Sequence, residues 1–256
     1  MAIVSRIYTP EPAAAAFALR TLATRLRDRG HLVTVMTTSV PPSMTIEDEP
    51  GIVVRRAPVL RDRDGYVRGY LQYLSFDLLL ALRLLFARAH DVYVVEPPPT
   101  TGAVTRVVLA LRRRPYVYDA ADLWSDAVSM ETDSRFVQRA LRWVERFALR
   151  GATAVVTISD GVARRIRELD VATPVVVTGF GADTESFHPL PGDLPEVRRE
   201  FVYAGSYSPI HGADVFVTAF AAFSSTRPGY ALRFIGNGTE RELLMKLVAD
   251  PHVSSV

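Results

Sequence analysis

Two short segments, YAGSYSPIHG at 203–212 and RFIGNGTERELL at 233–244, have the residue types to hold a phosphorylated ligand. Each reads as a strand running into glycine and then into a helix. Glycine lets a backbone turn close to a ligand, and the first amides of a helix offer free N–H groups and the positive end of a dipole. In the first segment Gly205 makes the turn, Ser206 follows, His211 adds a donor and Gly212 opens the helix, an arrangement that suits a pyrophosphate. In the second, Gly236 and Gly238 flank Asn237 ahead of Glu240, a tight turn open to a base or ribose stacked above it. One strand–glycine–helix run is usually only a turn; two in succession at one sheet edge carry more weight.

A third segment, YVYDAADLWSDAVSM at 116–130, ends a strand in Asp119, Asp122 and Asp126 around Trp124. Carboxylates and an indole at a strand's carboxyl end suit a hydroxyl-rich, sugar-like ligand, held by hydrogen bonds and ring stacking. A second account stays open, in which Asp119 and Asp122 cap the next helix and Trp124 is core. The loop TPEPAAAA, with Pro10 and Glu11, leaves the first strand where open α/β sheets bind ligands. It also reads as a plain turn stiffened by Pro12.

These segments need a sheet edge to stand on, and the chain supplies one. Apolar, β-branched runs alternate with helical-period segments, the pattern of a parallel sheet covered by helices on both faces. Strands are predicted over 3–8, 32–37, 52–55, 92–96, 116–118, 154–158 and 175–178, with helices over 13–29, 66–89, 101–111, 134–150 and 160–168. Gly30 and Gly151 fall where helix C-caps are expected. After a polar stretch at 179–199 with three Pro and three Gly, a second alternation begins: strand 201–204, helix 213–225, strand 231–235, helix 240–249, and an opening third strand at 253–256. The predicted division is 1–180, a linker at 181–199, and 200–256.

At 256 residues and 48% hydrophobic, the chain can bury a sizeable core. It has no cysteine, which excludes disulfides and thiolate metal sites and fits a reducing, cytoplasmic setting. The start, MAIVSRIYTPEP, lacks the basic and apolar regions of a signal peptide. Net charge is +2, with 24 Arg against 19 acids up to residue 180 and 6 basic residues against 9 acids after it. Arg-rich coding bias and a phosphate- or membrane-facing first domain both account for this. The segment 66–89 is the most apolar, but Gln72, Asp77 and Arg83 interrupt it, so a packed or interfacial helix is expected rather than a membrane span.

The motifs together resemble family 4 glycosyltransferases, most closely the branch that builds bacterial surface polysaccharides and glycolipids. The likeness runs through TPEP, EPPPTTGAV at 96–104, DLWSDA at 122–127, AVVTISDGVARRI at 154–166, GADTESFHP at 181–189 and the two glycine turns. DLWSDA is similar to that branch's Asp-Leu-Trp-Pro segment, and GADTESFHP to its interdomain signature. The resemblance implies a GT-B fold: an N-terminal Rossmann-like acceptor domain, and a C-terminal Rossmann-like domain binding a UDP- or GDP-sugar.

It also implies transfer with retention of anomeric configuration to a saccharide or lipid-linked acceptor, in the cleft between the domains. No metal or other cofactor is implied, because stabilisation of the departing diphosphate carries the chemistry; nucleic acid is not an expected partner. A lipid-linked acceptor would place the protein peripherally on the inner face of the membrane. By this resemblance Pro10, Glu11, Asp119, Asp122 and Trp124 face the acceptor, and Gly205, Ser206, His211, Gly212, Gly236, Gly238 and Glu240 face the donor.

The chain also departs from the family. Ser206, Tyr207 and His211 stand where basic residues usually hold the diphosphate, and Phe180 stands where the interdomain signature has Asn. The family's Glu-x7-Glu segment is not reached before Val256, so roughly 100 residues of a usual second domain are expected to be missing and the chain as it stands is expected to be inactive or impaired. The alternative this raises is a carbohydrate- or glycolipid-binding module that has lost catalysis.

Overall fold

A computed structural model describes residues 1–11, 13–42, 44–62, 65, 67, 69–131, 133–185, 187–189, 199–208 and 211–249. The expectations for Pro12, for 66 and 68 at the head of the second helix, for most of the linker and for a strand at 253–256 lie outside these residues. The chain divides into two compact units, Met1–Phe187 and His188–Val256.

The first unit is one parallel sheet of seven strands: β1 (Ala2–Val4), β2 (Val33–Thr38), β3 (Ile52–Ala57), β4 (Tyr93–Val95), β5 (Tyr116–Asp119), β6 (Ala154–Thr157) and β7 (Val175–Val177). Their order across the sheet is β3-β2-β1-β4-β5-β6-β7. Alternate strand residues point to opposite faces, and the two buried clusters follow that period. Ile3, Val33, Val35 and Ile52 meet Leu19 and Ala23 of α1 (Ala14–Asp28). Ala2, Val4, Tyr93, Val95 and Tyr118 meet Phe76, Leu80 and Leu84 of α2 (Tyr70–Phe86), Leu109 of α3 (Pro99–Leu111) and Leu149 of α5 (Arg135–Gly151).

Two short helices complete the unit, α4 (Trp124–Glu131) and α6 (Asp160–Glu168). Helix α4 was not among the predicted elements. From β1 the chain steps outward to β2 and β3, then returns to β4 on the other side of β1. Loops leaving the carboxyl ends of β1 and β4 therefore diverge and leave a crevice between them.

Local chemistry explains the helix ends. Gly30 has φ 85° and follows the α1 C-cap Arg29; its N–H bonds the Arg27 carbonyl at 2.8 Å and that of His31 bonds Leu26 at 3.1 Å, a Schellman closure that needs left-handed backbone. Gly151 does not do this: it is the last residue of α5, and a Cβ there would lie 2.4 Å from the Arg106 side chain, so a larger residue would require Arg106 to move. Ser159 caps α6 by accepting from the Val162 N–H at 3.2 Å. The edge strand β3 is shielded by Arg83, which donates to the Arg55 carbonyl at 3.1 Å and the Arg56 carbonyl at 2.6 Å.

Asp77, read from sequence as a break in an apolar helix, is turned inward and accepts from Thr101 Oγ1 at 2.5 Å, with burial raising its pKa. No helix among the described residues is long and apolar enough to cross a membrane.

The second unit holds two parallel strands, β8 (Glu200–Ala204) and β9 (Ala231–Ile235), with α7 (Ala213–Thr226) and α8 (Arg241–Ala249). Its buried core is Tyr207, Ala213, Val217 and Leu244, backed by Tyr203, Phe234 and Leu247.

Candidate functional site

The crevice between β1 and β4 collects the first unit's reactive side chains. The Glu96 N–H bonds the Val4 carbonyl at 3.0 Å, which aligns the first residue after β4 with the end of β1. Ser5 Oγ lies in contact with Glu96 Oε2, lies 2.7 Å from the Ile7 carbonyl, and accepts from the Ile7 N–H at 3.1 Å. One hydroxyl hydrogen cannot serve both oxygens, so a protonated Glu96 completes the set by supplying the second hydrogen. Burial pushes the Glu96 carboxyl up to about 7, against the lowering effects of Ser5 and Arg6, and Asp119 adds to the rise. Asp119, at the end of β5, is likewise raised by burial. Both acids are suited to hydrogen-bonding hydroxyl groups, and Glu96 to exchanging a proton near neutral pH.

Beside them sits Arg6. Its guanidinium carbon is 5.0 Å from the Tyr73 ring centroid and 5.7 Å from that of Trp124, and the two rings meet edge to face at 5.8 Å. Arg6 Nη1 donates to the Val67 carbonyl at 3.0 Å, while its Nε is buried without a partner. The crevice thus offers one cation, two acids and an aromatic wall.

Trp124 is placed by a residue far along the chain. Glu145 of α5 is buried and accepts from the Trp124 N–H at 2.8 Å and the Ser125 N–H at 3.2 Å, taking up the free amides at the start of α4. Neither Asp119 nor Asp122 caps that helix, and Trp124 is half-buried beside Arg6 rather than in the core. The turn behind Asp119 is tied by the Ala120 N–H to the Val156 carbonyl at 2.8 Å and by Thr157 Oγ1 to the Ala120 carbonyl at 2.7 Å.

The predicted acidic trio therefore separates. Asp119 stays at the crevice, Asp122 is exposed, and Asp126 is paired with Arg165 at 2.8 Å. Pro10 follows a cis bond in the loop after β1. Glu11 is buried in a two-pronged pair with Arg61 at 3.0 and 3.2 Å, and Arg61 also binds the Gly65 carbonyl at 2.7 Å. Its carboxylate braces the loops around it and does not face an open crevice.

Ser5, Arg6, Tyr73, Glu96 and Glu145 were not singled out from sequence. The available signal was a glutamate ending a central strand in EPPP, and it becomes informative only once β4 is known to neighbour β1.

In the second unit the two glycine turns interlock. The Gly205 N–H bonds the Ile235 carbonyl, the Tyr207 N–H bonds the Asn237 carbonyl, both at 3.0 Å, and the Glu240 N–H bonds the Tyr207 carbonyl at 3.1 Å. A Cβ on Gly236 would come 1.9 Å from the Gly205 carbonyl oxygen, and one on Gly238 2.2 Å from that of Tyr207. These two glycines are what allows the first turn to approach the second so closely. A Cβ on Gly205 would meet only the Tyr203 ring, at 3.7 Å, and Ser206 beside it is exposed. Gly212, at φ 61°, is the N-cap of α7. His211 is exposed, with Nδ1 2.8 Å from Ser208 Oγ, and Glu240 Oε2 is buried without a partner.

Among the described residues no group of three or more His, Cys, Asp or Glu is placed to hold a metal ion. The Glu96 carboxyl gives a direct test of the crevice. Its folded pKa lies above the ordinary value, so its stabilising contribution is whole below about pH 4.5 and is lost as pH rises through about 7. Wild-type protein is expected to lose about 2–3 kcal/mol between those limits that Glu96→Gln retains. Denaturant melts of the two across that range should diverge; parallel curves would remove the assignment.

A family model described as a glycosyl transferase 4-like domain matches residues 14–181. No curated protein matches the sequence. Among solved structures, sucrose-phosphate synthase from Thermosynechococcus elongatus aligns over 99% of this chain and 68% of its own, with TM-score 0.75 and 19% identity. WaaG, a glycosyltransferase involved in lipopolysaccharide biosynthesis, aligns over 99% and 68%, with TM-score 0.68 and 17% identity. HepE of Anabaena, solved in complex with UDP, aligns over 99% and 66%, with TM-score 0.64 and 17% identity. This chain spans about two thirds of the length of each, and at such identities the likeness is one of fold. With the family model covering well over half of its residues, the chain belongs to the glycosyl transferase 4-like family and has the GT-B fold.

Proposed function

We propose that this protein is a retaining glycosyltransferase that moves a sugar from a UDP- or GDP-sugar to a saccharide or lipid-linked acceptor in cell-surface polysaccharide or glycolipid synthesis. The observation that carries the reading is the crevice beside β1 and β4, where Glu96, Asp119 and the Tyr73–Trp124 wall of the family-matched region converge on Arg6, which precedes it. Raised acids can bond sugar hydroxyls without the desolvation cost of a fixed charge, and an aromatic edge stacks on the apolar face of a sugar ring.

In this reading residues 1–180 bind the acceptor through Asp119, Asp122 and Trp124, with Pro10 and Glu11 shaping the rim. Residues 181–199 are the linker, and 200–256 form part of the donor domain. Gly205, Ser206, His211 and Gly212 take the diphosphate at the start of α7, and Gly236, Gly238 and Glu240 frame the nucleoside. His211 supplies a side-chain donor where the family has basic residues, with Nδ1 held by Ser208 at 2.8 Å. A lipid-linked acceptor places the protein peripherally on the inner membrane face.

Release of UDP or GDP from a panel of nucleotide sugars, with saccharide and lipid-linked acceptors, tests the reading alongside direct donor binding. Saturable binding of at least one nucleotide sugar is expected, weakened about tenfold by His211→Ala through loss of one hydrogen bond to the ligand. Saccharide binding without any nucleotide-sugar binding would favour the non-catalytic module instead.

A further inference from the structure

Helix α5 carries an outward face that its own fold leaves uncovered. Phe136 is 80% exposed and Trp143 67% exposed. They stand seven residues apart on one line of the helix, and Trp143 stacks on Phe147 at 5.7 Å and 16°. Arg135, Arg139 and Arg142 are exposed along one flank of that line. Arg146 and Arg150 are tied to Asp170, at 3.2 and 2.5 Å, whereas Arg135, Arg139 and Arg142 have no ion pair among the described residues. The helix has one acid, Glu145, and it is turned inward to bind the start of α4. The face is therefore aromatic and uniformly positive.

The surroundings extend it. Helix α3 packs against both α5 and α2, so the three form one layer over the sheet. Its outer surface continues through Val107 of α3 to a stripe on α2, Leu71, Leu74, Leu78 and Leu82, each between 47% and 70% exposed. Exposed apolar surface of this extent, rimmed by charge, marks a contact surface. A broad layer of helices with leucines outward, an indole and a phenyl ring beside them and unpaired arginines on one flank matches the depth profile of a lipid interface. There the chains take the leucines, the headgroup level takes aromatic rings, and lipid phosphates take guanidinium groups.

We propose that the α5 face, through Phe136, Trp143, Arg139 and Arg142, docks this protein on a membrane surface carrying anionic phospholipid, with the α2 stripe against the same surface. This rests on the peripheral-membrane part of the reading above and names the surface that performs it.

The test is co-sedimentation of the full chain with phosphatidylcholine vesicles and with vesicles that also contain phosphatidylglycerol. Wild-type protein is expected to bind the second and not the first, and to be released by salt. Arg139→Glu with Arg142→Glu, and separately Phe136→Ser with Trp143→Ser, should each weaken binding by about tenfold or more, with unchanged melting curves because all four side chains are exposed. If wild type binds anionic vesicles and both double variants bind equally well, the α5 assignment is wrong while peripheral attachment stands. If wild type ignores both vesicles, the assignment and the membrane reading fall together; if it binds both alike, the anionic-phospholipid assignment is wrong while peripheral attachment stands. Salt-sensitive binding to nucleic acid in place of vesicles would also overturn it.

Discussion

Gly238→Ala and Gly236→Ala are each expected to destroy the second unit while leaving the first folded. The obstacle is backbone: the added methyl would lie 2.2 Å from the Tyr207 carbonyl oxygen in one case and 1.9 Å from that of Gly205 in the other. Those carbonyls cannot give way cheaply, because the bonds from Gly205, Tyr207 and Glu240 amides hold the two turns to each other. Gly236 adds a φ of 153°, which side chains disfavour. A cost of about 4 kcal/mol or more is expected, comparable to the total that the two strands and four buried core residues described for this unit can supply.

Both tryptophans, Trp124 and Trp143, lie in the first unit. Their fluorescence midpoint should therefore stay put while amide exchange in β8 and β9 accelerates. Gly205→Ala is the control, since its methyl would meet only the Tyr203 ring at 3.7 Å; equal damage from it would refute the interlocked-turn account.

The second large effect is expected at Glu145. Its carboxylate serves two otherwise free amides at the start of α4, and Trp124, the first residue of that helix, forms one side of the enclosure around Arg6. Glu145→Ala removes a cap and leaves a small void, a loss of about 2–3 kcal/mol. It should also redden Trp124 emission as the ring gains water. Glu145→Gln preserves shape and one acceptor, so it should keep most of the stability and the emission. A blue or unshifted spectrum in Glu145→Ala would show that α4 stands without this support. Because Trp124 and Asp119 belong to the same crevice, the proposed function adds that Glu145→Ala should weaken saccharide binding although Glu145 is buried behind Trp124.

Much of the architecture was legible without coordinates. The strands found in the first unit coincide with the predicted runs to within a few residues, because a sheet buried on both faces demands continuous apolar β-branched segments. Boundaries moved where the end of a run is set by neighbours. The first strand stops at Val4, since Ser5 and the residues after it turn into the crevice. Helix α4 stayed hidden because its start is stabilised by Glu145, twenty-one residues beyond Trp124, and not by a local cap.

Glycines show the same limit. Gly30 acts through its own backbone and could be read locally, whereas Gly236 and Gly238 are required by carbonyls of another turn and Gly151 lies against the Arg106 side chain.

The sequence by itself determined the class of fold, the family, and the regions where ligand-facing loops leave the strands, since periodicity, turn residues and short motifs are local properties. Tertiary structure alone decided which side chains share a crevice. It joined Ser5 to Glu96 across ninety-one positions and set Arg6 between Tyr73 and Trp124. It also committed Glu11 to Arg61 and Asp126 to Arg165, leaving Asp119 alone of the predicted acidic trio in the crevice. The physical reason is that strand order, not chain order, fixes which loops meet, and burial then decides which carboxyl is raised in pKa and which is held by an arginine.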